Sequence, residues 1–391
     1  MAVYNTTPHH TTPELLPQYR VAFLWRERGF FFLKDDTDYY GDPISKIADI
    51  MRLKDKDFIS RLVYDEENPD YIIATNWCFT DYDECKKFRH YLSTKNDRIF
   101  IYFTYEAIEP DLNFCDYAFT WDPDLKCGDR IIRNFSYMFD EISGAPFKND
   151  LTLEEARKIL ESKPDFCSFL YSHAQEPRDS FFHLLSRYKP VTSSGPHLNN
   201  TGKRSTREDK DWYSLSVDLK SGHKFSIAME NNVFRGYTSE KIVSSLRAHT
   251  VPIYWGDPLV ADYINPKAFI NCGDYSSFEE VVERVKEIDN NDELWLDMVT
   301  QPWQTEEQYA RTVQEAEDYD KFIRHIFSQD IAAARRRSAG RGDVVFLRDG
   351  FTGYIGKFPS LLSFLLLKVK RAIMNGDFML KLRKLLHIAY N

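Results

Sequence analysis

Four short runs near the start of the chain are apolar without alternation: RVAFLW (20–25), PDYIIAT (69–75), DRIFIYFT (97–104) and CDYAFTW (115–121). A strand with one wet face alternates, so runs like these belong to strands covered on both sides, as in a parallel sheet sandwiched by helices. Between them Ile47, Ile50, Met51, Phe58, Ile59 and Leu62 recur at helical spacing, and Phe88 and Leu92 do so on a shorter stretch. Strand–helix–strand repetition predicts right-handed crossovers and an open parallel sheet.

The pattern breaks at SGAPFKND (143–150) and then restarts. In LTLEEARKILESK, Thr152 and Glu155 form a T-x-x-E capping box. FCSFLYS (166–172), KFSIAM (224–229), VPIYW (251–255) and AFINC (268–272) read as strands. PRDSFFHLLSRY, TSEKIVSSLRAH (238–249) and FEEVVERVKEI, the last capped by Ser277 with Glu280, read as helices. The expected division is a flexible N-terminus (1–18), an α/β domain (19–145), a linker helix (146–163), a second α/β domain (164–303) and a helical region (304–391) with a basic amphipathic tail. Two such domains leave a cleft between them, and ligands of open parallel sheets sit at the carboxyl ends of the strands.

A length of 391 residues suits two cores, and 29 Phe and 23 Tyr supply much of the burial. The net charge of −9 excludes a surface built for nucleic acid but leaves room for a local basic pocket. No run of about 20 apolar residues predicts a spanning helix. The polar opening (TTPHHTTPE) lacks the apolar region of a secretory signal. Cys78, Cys85, Cys115, Cys127, Cys167 and Cys272 have no CxxC spacing and read as reduced thiols of a cytoplasmic protein. The sequon at Asn134 is then incidental.

Dinucleotide, P-loop, zincin and nucleophile-elbow motifs are missing. Asp122-Pro123-Asp124 is a D-x-D that two carboxylates could use to chelate a divalent ion. Similar acidic triplets recur at Asp36/Asp38, Asp55/Asp57 and Asp81/Asp83, so the pattern has little specificity and no metal is assigned. The richest stretch is FSIAMENNVFRGYTSEKIVSSLRAHTVPIYWGDP (225–258). A buried strand ends at Met229, a polar turn carries Glu230, Asn231, Asn232 and Gly236, and a helix opens at Ser239. Helix N-termini bind phosphate through free N–H groups and the positive dipole end. Glu240 suits that position, whereas Lys241 opposes the dipole. Either Lys241 serves an anion, or the two form a solvated charge pair.

This stretch resembles the donor-binding motif of the α-1,3/1,4-fucosyltransferase family: an apolar strand, E-N, a glycine, Y-x-x-E-K-I, a helix, then V-P-I-Y-W-G-x-P from Val251 to Pro258. Met229 stands where an aromatic is usual and Asn232 where serine is usual. CSFLYSHAQEPRDSFFHLLSRYKPV (167–191) is similar to the family's arginine-bearing segment, and IFIYFTYEAIEPDLNFCDYAFTWD (99–122) to the segment that carries its base. There Tyr105 replaces a usual glycine and Ala107 a usual asparagine, while Asp129, Arg130 and Arg133 keep a familiar order. The resemblance spans roughly residues 65–290 and is strongest in 225–258.

The resemblance implies two facing Rossmann-like domains of the GT-B type, an inverting reaction and no obligatory metal. GDP-fucose would be the donor and a glycan hydroxyl the acceptor, at O3 of GlcNAc or Glc in a glycan or lipopolysaccharide chain. It implies Glu106 as the catalytic base, with Glu109 its rival. Arg178 and Lys241 would hold the diphosphate, and Asn231, Tyr237 and Glu240 the nucleotide or sugar. His173 and His249 have no motif partner and read as structural or solvent-facing. In the tail (359–391), Lys368, Lys370, Arg371, Lys381, Arg383 and Lys384 are interleaved with Leu, Phe and Ile. That suits peripheral contact with an anionic membrane, at the cytosolic face of an inner membrane. A helix that packs on the body or pairs two subunits as a homodimer is the alternative. Another nucleotide sugar on the same scaffold, or a silent sugar-nucleotide or glycan-binding protein, are the competing functions.

Overall fold

The structure is a computed structural model, and it describes residues 17–24, 42–76, 82–94, 97–104, 106–133, 147–202 and 212–337. Asn134, Tyr105, Cys78, most of the amino-terminal segment and the 359–391 tail lie outside the described residues.

The first sheet is built from β1 (Tyr19–Leu24), β2 (Leu62–Tyr64), β3 (Tyr71–Thr75), β4 (Ile99–Phe103), β5 (Tyr117–Thr120) and β6 (Ile131–Arg133). Their order is β2-β1-β3-β4-β5-β6, and every pairing is parallel. All residues of β3, β4 and β5 are buried, as continuous apolar runs require. Helices α1 (Pro43–Ile50), α2 (Lys56–Ile59) and α3 (Tyr82–Thr94) connect the early strands.

The helical spacing from Ile47 to Leu62 is not one helix. Asp42 caps α1, which ends at Met51, and Asp55 opens α2 by accepting from the Asp57 and Phe58 amides. Arg52 between them has a φ of 50°, which no helix continues through. Leu62 then starts edge strand β2, so its burial comes from the sheet. Three-residue strands such as β2 and β6 are too short to register as periodicity.

The second half contains α4 (Leu153–Glu161), β7 (Asp165–Phe169), α5 (Arg178–Ser186), β8 (Val191–Ser193), α6 (Trp212–Ser221), β9 (His223–Met229), α7 (Glu240–Arg247), β10 (Val251–Trp255), β11 (Ile270–Asn271), α8 (Phe278–Asp289) and α9 (Asp292–Val299). Its sheet runs β11-β10-β9-β7-β8, again all parallel. The Thr152/Glu155 capping box forms in both directions, and Ser277 caps α8 by accepting from the Glu280 amide. A core of Phe169, Phe181, Phe225, Ile253, Val285 and Trp295 lies on one face of this sheet. Each such side chain contributes about 1.5–3 kcal/mol by leaving water.

After the second sheet, α10 (Glu306–Ser328) crosses back to the first. Tyr319, Phe322, Ile323, Ile326 and Phe327 pack with Ile73, Ile101, Tyr117 and Phe119 in one core. Asp129 accepts from Arg336 and His325 beyond it, and the Arg336 guanidinium holds the Asp129 carboxyl well below the usual carboxylate range. The helical segment therefore covers the amino-terminal sheet and straps the two halves together.

The seam between the halves is close-packed. Trp121, just past β5, meets Tyr237 edge-on at 4.9 Å between ring centroids. Arg133 donates to the Trp121 and Gly236 carbonyls and pairs with Glu315 at 3.1 Å, its guanidinium stacked 3.9 Å from the Tyr263 ring. Gly236 has a φ of 76°, and a Cβ there would lie 2.1 Å from the Trp121 carbonyl oxygen. Backbone meets backbone at that point, so neither side can rotate away. Gly236→Ala is expected to open the seam and lower any activity that needs both halves by on the order of 10²-fold, the usual cost of a misplacement near 1 Å. Ligand affinity of the second half alone should change far less. Unaltered turnover in steady-state kinetics would show that the approach has slack.

Candidate functional site

The strand–turn–helix from β9 to α7 organises the site. At the end of β9 the Glu230 amide donates to the Trp255 carbonyl at 2.7 Å, which fixes the chain as it leaves the sheet. The Tyr171 hydroxyl reinforces this corner from below, bonded to the Ile227 carbonyl at 2.9 Å and the Met229 amide at 2.8 Å. The turn returns through Gly236, whose amide donates to the Asp257 carboxylate at 2.7 Å; Thr238 donates to the same group at 2.9 Å.

Helix α7 begins at Ser239, whose side chain does not cap it. Glu230 caps it instead. This fully buried carboxylate accepts from the Ser239 amide and hydroxyl and from the Lys241 ammonium, at 2.8, 2.8 and 2.9 Å. Gly256 makes room for it, since a Cβ there would stand 2.5 Å from the Glu230 Cγ. Lys241 is thus not in a solvated pair: its ammonium is held by Glu230 while it lines the cleft. It sits in a partly buried ion pair, with Glu240 3.9 Å away as a second acidic neighbour. Burial disfavours its charge, but Glu230 and then Glu240 outweigh that and raise its pKa above the ordinary lysine range.

A cleft of about 270 Å³ opens at this corner. Its walls are the loop Leu170–Gln175 after β7, Arg178 at the start of α5, one face of α6, Asn231, and Glu240, Lys241 and Ser244 of α7. Arg178 is 2% exposed. Its Nη1 donates to Asn231 Oδ1 at 3.1 Å, its Nη2 to the His173 carbonyl at 2.7 Å, and its guanidinium lies 3.8 Å from the Tyr171 ring centre. Nε finds no acceptor. Among the described residues no carboxylate stands within ion-pair distance of it. A buried cation without a counter-charge is unfavourable unless a ligand supplies one.

The sequence-derived residues fall into two groups. Arg178, Asn231, Glu240 and Lys241 line the cleft together. Glu106 and Tyr237 stand at the seam. The backbone at Glu106 is pinned by the Thr104 hydroxyl (3.0 Å), the Trp121 indole N–H (2.9 Å) and the Ile108 amide (2.8 Å). Burial chiefly raises the Tyr237 phenol's pKa, and among the charges acting on it are Lys241, Glu230, Glu106 and Glu240. Glu109 accepts from Thr120 at 3.2 Å, and burial raises its carboxyl's pKa. The Asp122 and Asp124 carboxylates are engaged by Arg235. His173, read as structural or solvent-facing, lines the cleft and gives its carbonyl to Arg178.

Sequence reasoning missed the α6 wall. Trp212, Ser216 and Lys220 line the cleft, spaced four apart on one helical face. That spacing was the available signal, in a segment without a motif. Lys220 donates to the Lys241 carbonyl at 3.2 Å and to Ser244 Oγ at 2.5 Å. Burial pushes its pKa down to about 7, opposite in direction to Lys241. The difference is one of partners: Lys241 touches a carboxylate and Lys220 does not.

Residues 160–333 match the family model described as glycosyltransferase family 10 (fucosyltransferase) C-term. The chain is 30% identical over 229 residues to an alpha-(1,3)-fucosyltransferase of Helicobacter pylori, covering 51% of this chain and 46% of that one. It is also 30% identical over 123 residues to the human GDP-fucose protein O-fucosyltransferase 3, covering 30% of this chain and 25% of the relative. The chain thus spans less than half the length of the curated relatives it matches. Among solved structures, an alpha1,3-fucosyltransferase superposes with a TM-score of 0.56 at 21% identity, over 82% of this chain and 93% of that one. The structure of alpha1,3-fucosyltransferase with GDP-fucose does so with a TM-score of 0.54, over 81% and 94%. These likenesses establish the fold: two Rossmann-like domains in the GT-B arrangement.

Proposed function

We propose that this chain, whose residues 160–333 match the model of glycosyltransferase family 10 (fucosyltransferase), moves L-fucose from GDP-fucose onto a hydroxyl of a glycan acceptor with inversion. The observation that carries this reading is Arg178: a buried guanidinium in a cleft at a helix N-terminus, with no carboxylate within ion-pair distance among the described residues. A diphosphate supplies the missing charge, and Arg178's planar fork suits phosphate oxygens.

In this reading the acceptor oxygen forms a bond to the anomeric carbon from the face opposite GDP. The bond from that carbon to the β-phosphate oxygen breaks as it forms, and GDP leaves. Glu106, at the seam, takes the acceptor's proton. Arg178, with Lys241 held by Glu230, stabilises the charge that grows on the departing phosphate. Asn231, Tyr237 and Glu240 hold the nucleotide and sugar. No step is assigned to a metal ion, so chelation with EDTA leaves transfer unchanged in this proposal.

The acceptor proposed is a GlcNAc or Glc O3 in a glycan or lipopolysaccharide. A polypeptide hydroxyl is the second reading, supported by the similarity to a protein O-fucosyltransferase. Labelled GDP-fucose offered to an array of glycans and peptides tests both, with hydrolysis of other sugar nucleotides as the comparison. Transfer of a different sugar would reassign the donor, and binding without turnover would leave a silent sugar-nucleotide protein. The basic tail (359–391) is proposed to attach the enzyme to an anionic membrane; among the described residues no helix is long and apolar enough to cross one. Equal co-sedimentation with anionic liposomes by the full chain and by one ending at residue 358 would remove that attachment.

A further inference from the structure

We infer that Lys220 is a specificity-determining residue that reads the nucleotide's base, donating from its ammonium to the O6/N7 acceptor edge of guanine at the deep end of the cleft. This rests on the nucleoside-diphosphate reading of the site. The cleft has a direction. Arg178 and the first turn of α7 form its phosphate end. Glu240 comes next, and Ser244 one turn further along the same helical face. Facing Ser244 from α6 are Lys220, Ser216 and Trp212. These four are 1%, 5%, 4% and 9% exposed, so this end is closed over by protein. A diphosphate at the helix N-terminus with its ribose beside Glu240 delivers the base to that closed end.

The chemistry there favours guanine. An ammonium has three donors and no acceptor. Two of Lys220's are spent on the Lys241 carbonyl and Ser244 Oγ, which aims the group and leaves one donor for a ligand. Among the described residues no carboxylate lies within ion-pair distance of Lys220. Guanine presents two acceptors, O6 and N7, on one edge; adenine sets an amino donor where O6 would be. Both bases keep N7, so a donor aimed at the O6 position favours the first over the second. Trp212, on the same helical face, supplies a ring on which any purine can stack, so shape alone would not separate the two bases.

Calorimetry of the full chain with GDP, IDP and ADP tests this, using wild type, Lys220→Met and Lys220→Gln. IDP keeps O6 and N7 but lacks the guanine amino group. Wild type is expected to bind GDP and IDP well above ADP. Lys220→Met should weaken GDP and IDP by about 10- to 100-fold and leave ADP unchanged. Lys220→Gln, whose amide can donate or accept, should narrow the GDP-to-ADP ratio by a similar factor, and it decides the matter if the methionine variant does not fold. Equal weakening of all three ligands would make Lys220 a prop for α7 and overturn the inference. So would an unchanged ratio in Lys220→Gln. A wild type without preference for GDP would instead sink the GDP-fucose reading, and Lys220's role with it.

Discussion

Glu106→Gln is expected to lower fucose transfer by roughly 10²–10⁴ while GDP affinity stays at the wild-type level. The substitution keeps the shape of the side chain and removes only its capacity to take a proton. Because three hydrogen bonds fix the backbone of the turn that carries Glu106, the amide should occupy the same place. GDP affinity is insulated, since Arg178, Asn231, Glu240 and Lys241 all come from the other half. Glu109→Gln is the control. Burial raises the Glu109 carboxyl's pKa, so if Glu109 were the base it would be protonated at low pH. The rate would then rise with pH through that raised value, and Glu109→Gln would abolish the rising limb. A slow Glu109→Gln enzyme beside a fast Glu106→Gln one would transfer the role. Full activity in both would place the base elsewhere in the seam.

The second large effect is expected at Arg178. Arg178→Met should lower GDP affinity and transfer by on the order of 10²–10³, the usual loss for a transition-state donor. The empty protein should tolerate the change, because removing a buried charge that has no counter-charge offsets the two hydrogen bonds lost to Asn231 and the His173 carbonyl. Two thermal melts therefore separate function from stability. The unliganded variant should melt at or above the wild-type temperature, and saturating GDP, which stabilises the wild type by mass action, should no longer raise it. A variant that melts early but still responds to GDP would make Arg178 a structural strut between the His173 carbonyl and Asn231. Lys241→Ala is a poorer probe, since it strands Glu230, buried at 0% exposure, without its cation.

The parts legible in advance were those with a local cause. Non-alternating runs such as IFIYF and VPIYW become strands buried on both faces, because only that environment accepts apolar side chains on every position. The T-x-x-E box at Thr152 closes as written, since both partners lie within one turn. Glu106 and Arg178 were singled out by the family resemblance of their segments, and Lys241 by that resemblance together with its place in the first turn of a helix.

What the sequence by itself determined, then, is the alternating α/β plan, the repeat of that plan after residue 150, and which residue types crowd the turn from Glu230 to Lys241. Tertiary structure decided the pairings. Lys241 is paired with Glu230, eleven residues upstream, a carboxylate brought under the helix by the corner between β9 and α7. Lys220 reached the cleft because α6 packs against α7; the four-residue spacing within 212–221 marks a shared face but not what that face meets. Leu62 left a helical pattern to start a strand because the sheet had an open edge beside β1. Gly236 had to be glycine because Trp121, more than a hundred residues away, lays its carbonyl against it. Periodicity reports which face of an element avoids water. Which side chains then meet depends on how two sheets and their helices close over one another, and the chain acquires that information only when it packs.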